Sequence, residues 1–115
     1  MGGRGMKRKR IYISIPISGH DLEEVKAKAR DIREWVLWDE FGLEKGWHRP
    51  DVITPFGVCP DPDKPYSYYM GKDIEALLEC DAIFLCEGWQ NSKGCMAEFE
   101  VARIYGKEIM FEKQW

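Results

Sequence analysis

The sequence predicts an α/β protein built on a parallel sheet of about four to five strands. Three observations lead to this class. Short runs rich in β-branched residues alternate along the chain with longer segments that carry a helical apolar stripe. Residues 82–86 are almost uniformly apolar, as in strands that are covered on both faces. Strands joined by helices in this order need right-handed crossovers, so helices should cover both faces in three layers, in a flavodoxin-like or Rossmann-like arrangement.

The first strand and the first helix follow the basic start of the chain. Residues 11–15 form a buried strand that is broken at Pro16. Asp21 is a credible helix N-cap, and apolar residues then recur at three- and four-residue steps. This helix should run to about Glu40 and stop at Gly42.

The middle of the chain predicts a second strand, a loop and a second helix. The strand covers residues 52–54 and is ended by Pro55. Prolines and aspartates make residues 58–67 an irregular surface loop. The second helix is expected over residues 67–79, before the third strand at residues 82–86.

The last part of the chain predicts a third helix over residues 94–105, stopped by Gly106, and a fourth strand over residues 107–112. In open parallel sheets, ligands bind beyond the carboxyl ends of the strands. The loops that should meet there are residues 16–21, 54–58 and 87–94.

Composition and charge narrow the class of protein. The 115 residues have a formal net charge of −3 and 32% of them are charged, which predicts a soluble globular protein and gives no reason to expect nucleic-acid binding. The basic run at residues 7–10 fits a solubilising flank better than a binding arm. We expect residues 1–10 to be a flexible basic segment and residues 11–115 to form a single domain.

Cysteine usage and the length of the apolar runs bear on the compartment. The four cysteines form no C-x-x-C pair and no histidine pair has ligand spacing, so neither structural zinc nor another metal is expected. Free cysteines in apolar runs indicate a reducing compartment. No apolar run approaches the ~20 residues of a membrane span, and no signal peptide is expected. The expected location is therefore the cytoplasm.

The stretch "SKGCMAEFEVA" places Glu98 about one turn into the third helix. Its neighbours on the same helix face are Val101, Ala102 and Tyr105. The carboxylate therefore lies at the edge of an apolar face, where partial burial would raise its pKa and hold it for one specific contact. The alternative is a boundary glutamate paired with a base such as Arg103. Glu100 points elsewhere and fits a solvated role better.

Two further residues are candidates for the same chemistry. Asp73 lies early in the second helix, where the alternative role is a favourable interaction with the positive end of the helix dipole. Tyr12 lies in the first strand and is either a core aromatic residue or a hydroxyl that reaches Glu98. The second option requires the first and third strands to be neighbours, as this topology would make them.

The turns before the first and third helices could bind an anion, such as a phosphate. Backbone N–H groups are exposed at helix N-termini, and side chains there could add donors. The alternative for each serine is a cap or turn role, and His20 fits an exposed loop histidine better. The candidate substrate-binding residues of the two turns are Ser18, Gly19, His20, Asn91, Ser92, Lys93 and Gly94.

Three stretches together resemble the nucleoside 2-deoxyribosyltransferase superfamily. They are "IYISIPISG", "KDIEALLECDAIFLC" and "SKGCMAEFEVARIYGKEI", the last with a G-x-x-x-E spacing. The resemblance covers residues 11–112. The chain also resembles a set of small uncharacterised domains that are common in bacterial, phage and mobile-element genomes.

The resemblance implies roles for the candidate residues. Glu98 matches the glutamate that attacks the anomeric carbon of the deoxyribose. Asp73 matches an acidic residue that positions the sugar or handles the proton at the leaving base. Tyr12 matches a strand tyrosine that orients the nucleophile. The resemblance also implies a homodimer or larger assembly, in which a neighbouring subunit often completes the pocket, and it implies no cofactor.

Ser92 favours one branch of the superfamily. The transferases usually carry an aspartate there, whereas the related deoxynucleoside 5′-monophosphate N-glycosidases carry a serine that binds phosphate. That branch has a Gly-Ser-Ile-Arg-like turn after the first strand, but residues 15–18 of this chain lack the arginine. Lys93 or His20 could substitute for it.

The expected function is cleavage of an N-glycosidic bond, or base exchange, on a nucleoside or nucleoside 5′-monophosphate. The reaction passes through an oxocarbenium-like state, and by analogy the nucleophile and the second acid should lie roughly 5 Å apart. Trp89 could stack on the nucleobase or, equally, cap the core from its loop. Two alternatives stay open: a non-catalytic nucleotide-binding module of a mobile element or phage, and a small interaction protein.

Overall fold

The structure, a computed structural model, describes residues 9–40, 50–58 and 63–112. Its elements are β1 (Arg10–Ser14), α1 (Leu22–Trp35), β2 (Asp51–Ile53), α2 (Pro55–Val58), α3 (Tyr66–Leu78), β3 (Ala82–Leu85), α4 (Lys93–Ile104) and β4 (Glu108–Phe111). A π-helical turn, Val36–Glu40, extends α1, and a 3₁₀ turn, Trp89–Asn91, precedes α4.

The four strands of the described residues form one sheet in the order β2-β1-β3-β4, and all neighbouring strands are parallel. This confirms the predicted parallel sheet and the pairing of the first strand with the third. In β1, Tyr12 is in register with Ile53 of β2 on one side and Ile83 of β3 on the other. The chain order reverses between β1 and β3, where open α/β sheets bind their ligands.

Alternate residues of β1 face opposite helical layers. Ile11 and Ile13 belong to one core cluster, which α1 covers with Val25, Ala29 and Ile32. Tyr12 belongs to the cluster on the other face, which α3 covers with Leu77 and α4 with Ala102. The sheet is therefore sandwiched between α1 and the α3–α4 pair, as the three-layer prediction requires.

The first helix begins where the sequence predicts and changes its winding near its end. The side chain of Asp21 caps α1 by accepting a hydrogen bond of 3.0 Å from the backbone N–H of Glu24. The π-helical turn widens the last part, so that the consecutive residues Val36 and Leu37 are both buried. The predicted stop, Gly42, lies outside the described residues.

The largest difference from the predicted elements follows β2. This strand begins and ends one residue earlier than predicted, and Thr54 caps the short helix α2 instead of extending the strand. Its Oγ1 accepts a hydrogen bond of 3.3 Å from the N–H of Gly57. Pro55 begins α2, a position that tolerates proline because the first N–H of a helix has no partner in the helix.

None of the helices in the described part of the chain combines the length and the apolarity that a membrane span requires.

Candidate active site

Glu98 is buried on the face of α4 that packs against the sheet. Ser92 is the N-cap of this helix, and its Oγ accepts a hydrogen bond of 3.2 Å from the N–H of Cys95. Cys95, Glu98 and Ala102 lie three and four residues apart on one face, and all three are buried. Only 4% of Glu98 is exposed, so this carboxyl is not a solvated helix charge.

Two hydroxyls of β1 hold the Glu98 carboxyl group. The Tyr12 hydroxyl donates a hydrogen bond of 2.9 Å to Oε2, and the Ser14 hydroxyl donates one of 2.6 Å to Oε1. Tyr12 and Ser14 are two residues apart in a strand and therefore share one face. The alternative pairing of Glu98 with Arg103 is wrong, because Arg103 donates to the exposed Glu100 at 2.6 Å and 3.0 Å.

Asp73 of α3 is a second buried acid at this site, with 8% of its surface exposed. Burial raises its pKa to about 6, against the opposing effect of the Tyr12 hydroxyl. Burial raises the pKa of Glu98 to about 7, and the charge of Asp73 adds to this, whereas Ser14 and Tyr12 lower it. Both acids therefore titrate near neutral pH, where one can be ionised while the other holds a proton.

A cavity of about 920 Å³ opens beside the two acids, beyond the carboxyl ends of the strands. Residues from all three loops that were expected to meet there line it, together with side chains of α1, α3 and α4. The lining residues are Ile15, Ile17, Ser18, Leu22, Lys26, Pro55, Phe56, Asp63, Tyr66, Tyr69, Met70, Asp73, Asn91, Ser92, Lys93, Gly94, Cys95 and Glu98.

The structure brings most of the predicted site residues to this cavity. Those that line it are Ser18, Asp73, Asn91, Ser92, Lys93, Gly94 and Glu98. Tyr12 is fully buried behind Glu98 and reaches the site through its hydrogen bond. Gly19 and His20 are exposed in the turn before α1 and do not line the cavity. Gly19 has a φ of +83°, which favours glycine in that turn.

Trp89 is half-buried and packs against the core cluster of Tyr12 and Leu77, and it is not among the residues that line the cavity. Its ring is 4.9 Å from that of Phe99 and 6.0 Å from that of Phe111, measured between centroids. Its Nε1 is buried without a hydrogen-bond partner among the described residues. Trp89 was expected either to stack on the nucleobase or to cap the core, and its position in the structure fits the second role.

Sequence reasoning missed Ser14, which carries the shortest hydrogen bond to Glu98. A signal was present, because Ser14 lies two residues after Tyr12 and therefore on the same face of the strand. The aromatic side chains in the cavity wall, Phe56, Tyr66 and Tyr69, gave no comparable signal. Phe56 and Tyr66 lie where loops were expected.

Within the described residues, no group of three or more histidine, cysteine or acidic side chains could hold a metal ion. Cys80, Cys86 and Cys95 are buried free thiols. The cavity wall carries the carboxyl groups of Asp73 and Glu98, the hydroxyls of serine and tyrosine residues, the thiol of Cys95 and the amino groups of Lys26 and Lys93.

Comparison with known proteins gives a family and a fold. Residues 9–111 match the family described as "Domain of unknown function (DUF4406)". A comparison with curated proteins finds no match. Among solved structures, the chain is similar to the 2-desoxiribosyltransferase from Leishmania mexicana, with 19% identity and a TM-score of 0.63. That similarity covers 90% of this chain and 63% of the other.

The chain is also similar to the CMP N-glycosidase BcmB from Clostridium botulinum, with 22% identity and a TM-score of 0.55. Here the similarity covers 90% of this chain and 70% of the other. At these identities the similarities show the fold. The chain thus belongs to the DUF4406 family and has the fold of the nucleoside 2-deoxyribosyltransferase superfamily.

Proposed function

We propose that the protein cleaves the N-glycosidic bond of a nucleoside or nucleoside 5′-monophosphate, or exchanges its base, with Glu98 as the nucleophile. One observation carries the proposal. Glu98 is 4% exposed and lines a cavity, and its carboxyl group is held on both oxygens by Tyr12 and Ser14. Two solved structures with this fold are named as a deoxyribosyltransferase and a CMP N-glycosidase, which supports the same kind of reaction.

The first step forms a glycosyl ester on the protein. A carboxylate oxygen of Glu98 attacks the anomeric carbon of the sugar, and the bond from that carbon to the base nitrogen breaks. The bonding electron pair goes to the base, which takes a proton from Asp73 as it leaves. The positive charge that develops on the sugar is stabilised by the nearby carboxylate.

The second step frees Glu98. Water attacks the anomeric carbon, gives its proton to Asp73, and displaces the Glu98 carboxylate, which releases the sugar. In base exchange a second base attacks in place of water, and a new nucleoside is formed. Either way, Asp73 and Glu98 return to their starting protonation states.

The two acids together can hold the one proton that this division of roles requires. The attacking group must be ionised and the group that serves the leaving base must be protonated. With pKa values of about 7 for Glu98 and about 6 for Asp73, the pair can hold one proton near neutral pH. In the free protein the higher pKa of Glu98 places this proton mainly on Glu98, and the positive charge that develops on a bound sugar favours its transfer to Asp73, which leaves Glu98 ionised.

The size and lining of the cavity suit a nucleoside or nucleotide. Its volume of about 920 Å³ lies in the range of small-molecule sites. Aromatic side chains of Phe56, Tyr66 and Tyr69 offer apolar surface for a base. Ser92 and Lys93, at the start of α4, are the candidate donors for a 5′-phosphate.

The test is release of free base from a panel of nucleosides and 5′-monophosphates, followed by chromatography. Glu98→Gln should abolish release from any substrate that the wild type cleaves, whereas Glu100→Gln, two residues away and exposed, should not. Binding of a nucleotide, seen as a thermal shift, without release from any compound would replace the proposal with a non-catalytic nucleotide-binding module. If no compound binds and no base is released, the remaining interpretation is a small interaction protein.

We also propose, from the family resemblance, that the protein forms a homodimer or larger assembly. Light scattering at several concentrations measures its mass directly. A monomer mass at every concentration would contradict this part of the proposal.

A further inference from the structure

We propose that Ser14 is a positioning residue of this site, which holds the Glu98 carboxylate in its reactive orientation and favours its ionised form. The inference rests on the proposed function for its catalytic meaning. It concerns a residue that does not itself line the cavity and therefore acts through Glu98.

Ser14 is a polar residue in a place that otherwise favours an apolar one. It is the last residue of β1 and is fully buried, on the face that packs against α3 and α4. A buried hydroxyl without a partner costs free energy, so its partner explains its presence. That partner is Oε1 of Glu98, at 2.6 Å.

The backbone around Ser14 leaves its hydroxyl little freedom. Ser14 is in register with Leu85 of β3, and its carbonyl oxygen accepts a hydrogen bond of 2.9 Å from the N–H of Cys86. The Cα position is thus set by the sheet, and only the side-chain rotamer can vary. A donor mounted on a central strand is a rigid support for the Glu98 carboxylate.

Tyr12 and Ser14 have different relationships to the two acids. The Tyr12 hydroxyl interacts with both acids, since it donates to Glu98 and also lowers the pKa of Asp73. Ser14 acts on Glu98 and not on Asp73, and of the two hydroxyls it lowers the Glu98 pKa more. Ser14 therefore favours ionisation of Glu98 over ionisation of its neighbour.

The other groups around Glu98 do not supply this effect. The thiol of Cys95 lies beside Ser14, but burial raises its pKa and keeps it neutral. Burial and the charge of Glu98 raise the pKa of Tyr12, so this hydroxyl also stays protonated. The charged groups that face the cavity are Asp73 of α3, Lys26 of α1, Lys93 of α4 and Asp63 before α3.

The direct test is a titration of Glu98 in protein labelled with ¹³C at the glutamate carboxyl carbon. The resonance of Glu98 is identified by its loss in Glu98→Gln. Ser14→Ala should raise the Glu98 pKa by about one unit or more, because the donor to Oε1 is lost. Ser67→Ala, which removes an exposed serine hydroxyl on α3, should leave it unchanged.

A second variant guards against misfolding. Ser14→Cys is close in size and replaces the hydroxyl with a weak donor, so it should fold and should also raise the Glu98 pKa. In kinetics with a compound that the wild type cleaves, both variants should shift the acidic limb of the kcat profile to higher pH by the same amount. At pH 7, which is close to the wild-type pKa of Glu98, kcat should fall about fivefold for a shift of one unit, while KM changes little.

The outcomes separate this inference from the proposed function. A wild-type titration curve for Glu98 in folded Ser14→Ala or Ser14→Cys would overturn the role of Ser14, whatever the activity. A raised Glu98 pKa in these variants supports the electrostatic role of Ser14 even if the wild type releases no base, which would overturn the proposed function alone. If the Glu98 pKa is raised in the Ser14 variants but the pH profile of kcat stays as in the wild type, the catalytic part of the inference is overturned.

Discussion

The hydroxyl of Tyr12 donates a hydrogen bond of 2.9 Å to Oε2 of Glu98, across a sequence separation of 86 residues. This contact joins the central strand β1 to the last helix, α4. Because Tyr12 is fully buried and Glu98 nearly so, the geometry of the acid is set by the core and not by a loop. A carboxylate held in this way can face a cavity without rearranging when a substrate enters.

Burial of Glu98 should make the stability of the protein depend on pH. Folding raises its pKa from 4.5 to about 7, so the folded state binds the proton more tightly than the unfolded state. This contribution is fully present below about pH 4.5 and is lost as the pH rises through about 7. Glu98→Gln, which stays neutral, should therefore gain stability over the wild type by on the order of 3 kcal/mol between pH 5 and pH 8.

Urea unfolding of both proteins across this pH range measures the difference. Glu100→Gln, which changes an exposed glutamate of the same helix, is the matched control and should show no such trend. A free-energy difference between Glu98→Gln and the wild type that stays constant from pH 5 to pH 8 would show that Glu98 is not buried as described.

Replacing Asp73 should affect both the proton transfer and the charge of Glu98. Asp73→Asn removes the group that protonates the leaving base, so kcat should fall by ~10²–10⁴. It also removes a negative charge that raises the pKa of Glu98, so that pKa should drop below about 7. Glu75→Gln, on the exposed side of α3, should change neither quantity. Full activity in Asp73→Asn would remove Asp73 from the mechanism.

Gly94 should control the width of the cavity at the start of α4. A Cβ atom there would lie 3.3 Å from the hydroxyl oxygen of Tyr66 and 3.6 Å from the sulfur of Met70. Gly94→Leu should therefore obstruct substrate and raise KM about tenfold or more, whereas the helix tolerates leucine well. Gly71→Ala is the control, because a Cβ there meets nothing within 4 Å.

Steady-state kinetics and thermal melts of the two glycine variants complete this test. Gly71→Ala should keep the wild-type KM. Its free energy of unfolding should rise by about 1 kcal/mol, because alanine is the better helix former. An unchanged KM in Gly94→Leu would mean that substrate binds away from the start of α4.

Trp89 should stabilise the core without contacting substrate. Trp89→Phe keeps an aromatic ring beside Phe99 and removes an Nε1 that is buried without a partner among the described residues, so its effect should be small. Trp89→Ala should lower the free energy of unfolding by about 3–5 kcal/mol. Trp89→Phe should leave KM and base preference as in the wild type. A changed base preference in Trp89→Phe would restore Trp89 as a stacking residue.

The parts of the fold that follow from local patterns could be predicted from the sequence. Alternation of strands and amphipathic segments gave the parallel sheet, and the place of Glu98 at the edge of an apolar face indicated its burial. The short helix α2 could not be found in this way, because Thr54 serves as a cap as readily as it extends a strand. The secondary-structure propensities of three or four residues are too weak to decide whether such a threonine caps a helix or extends a strand.

The lining of the cavity could be predicted only in part, for a different physical reason. Ser14 follows from the two-residue period of a strand once Tyr12 is assigned. The aromatic residues Tyr66 and Tyr69 line the cavity because of how α3 packs beside α4, which depends on contacts distant in sequence. The position of Trp89 likewise depends on Phe99 and Phe111, which no local pattern connects to it.

The most direct test of the account is to find where the sugar is attached during turnover. The protein is mixed with a compound from which it releases base, quenched in acid within the first turnover, and measured by mass spectrometry. We predict that the mass of the glycosyl group is added to the peptide containing Glu98 in the wild type, and that the Glu98→Gln protein carries no addition. Attachment of the sugar to any other residue, or base release by Glu98→Gln at the wild-type rate, would contradict the central claim that Glu98 is the nucleophile.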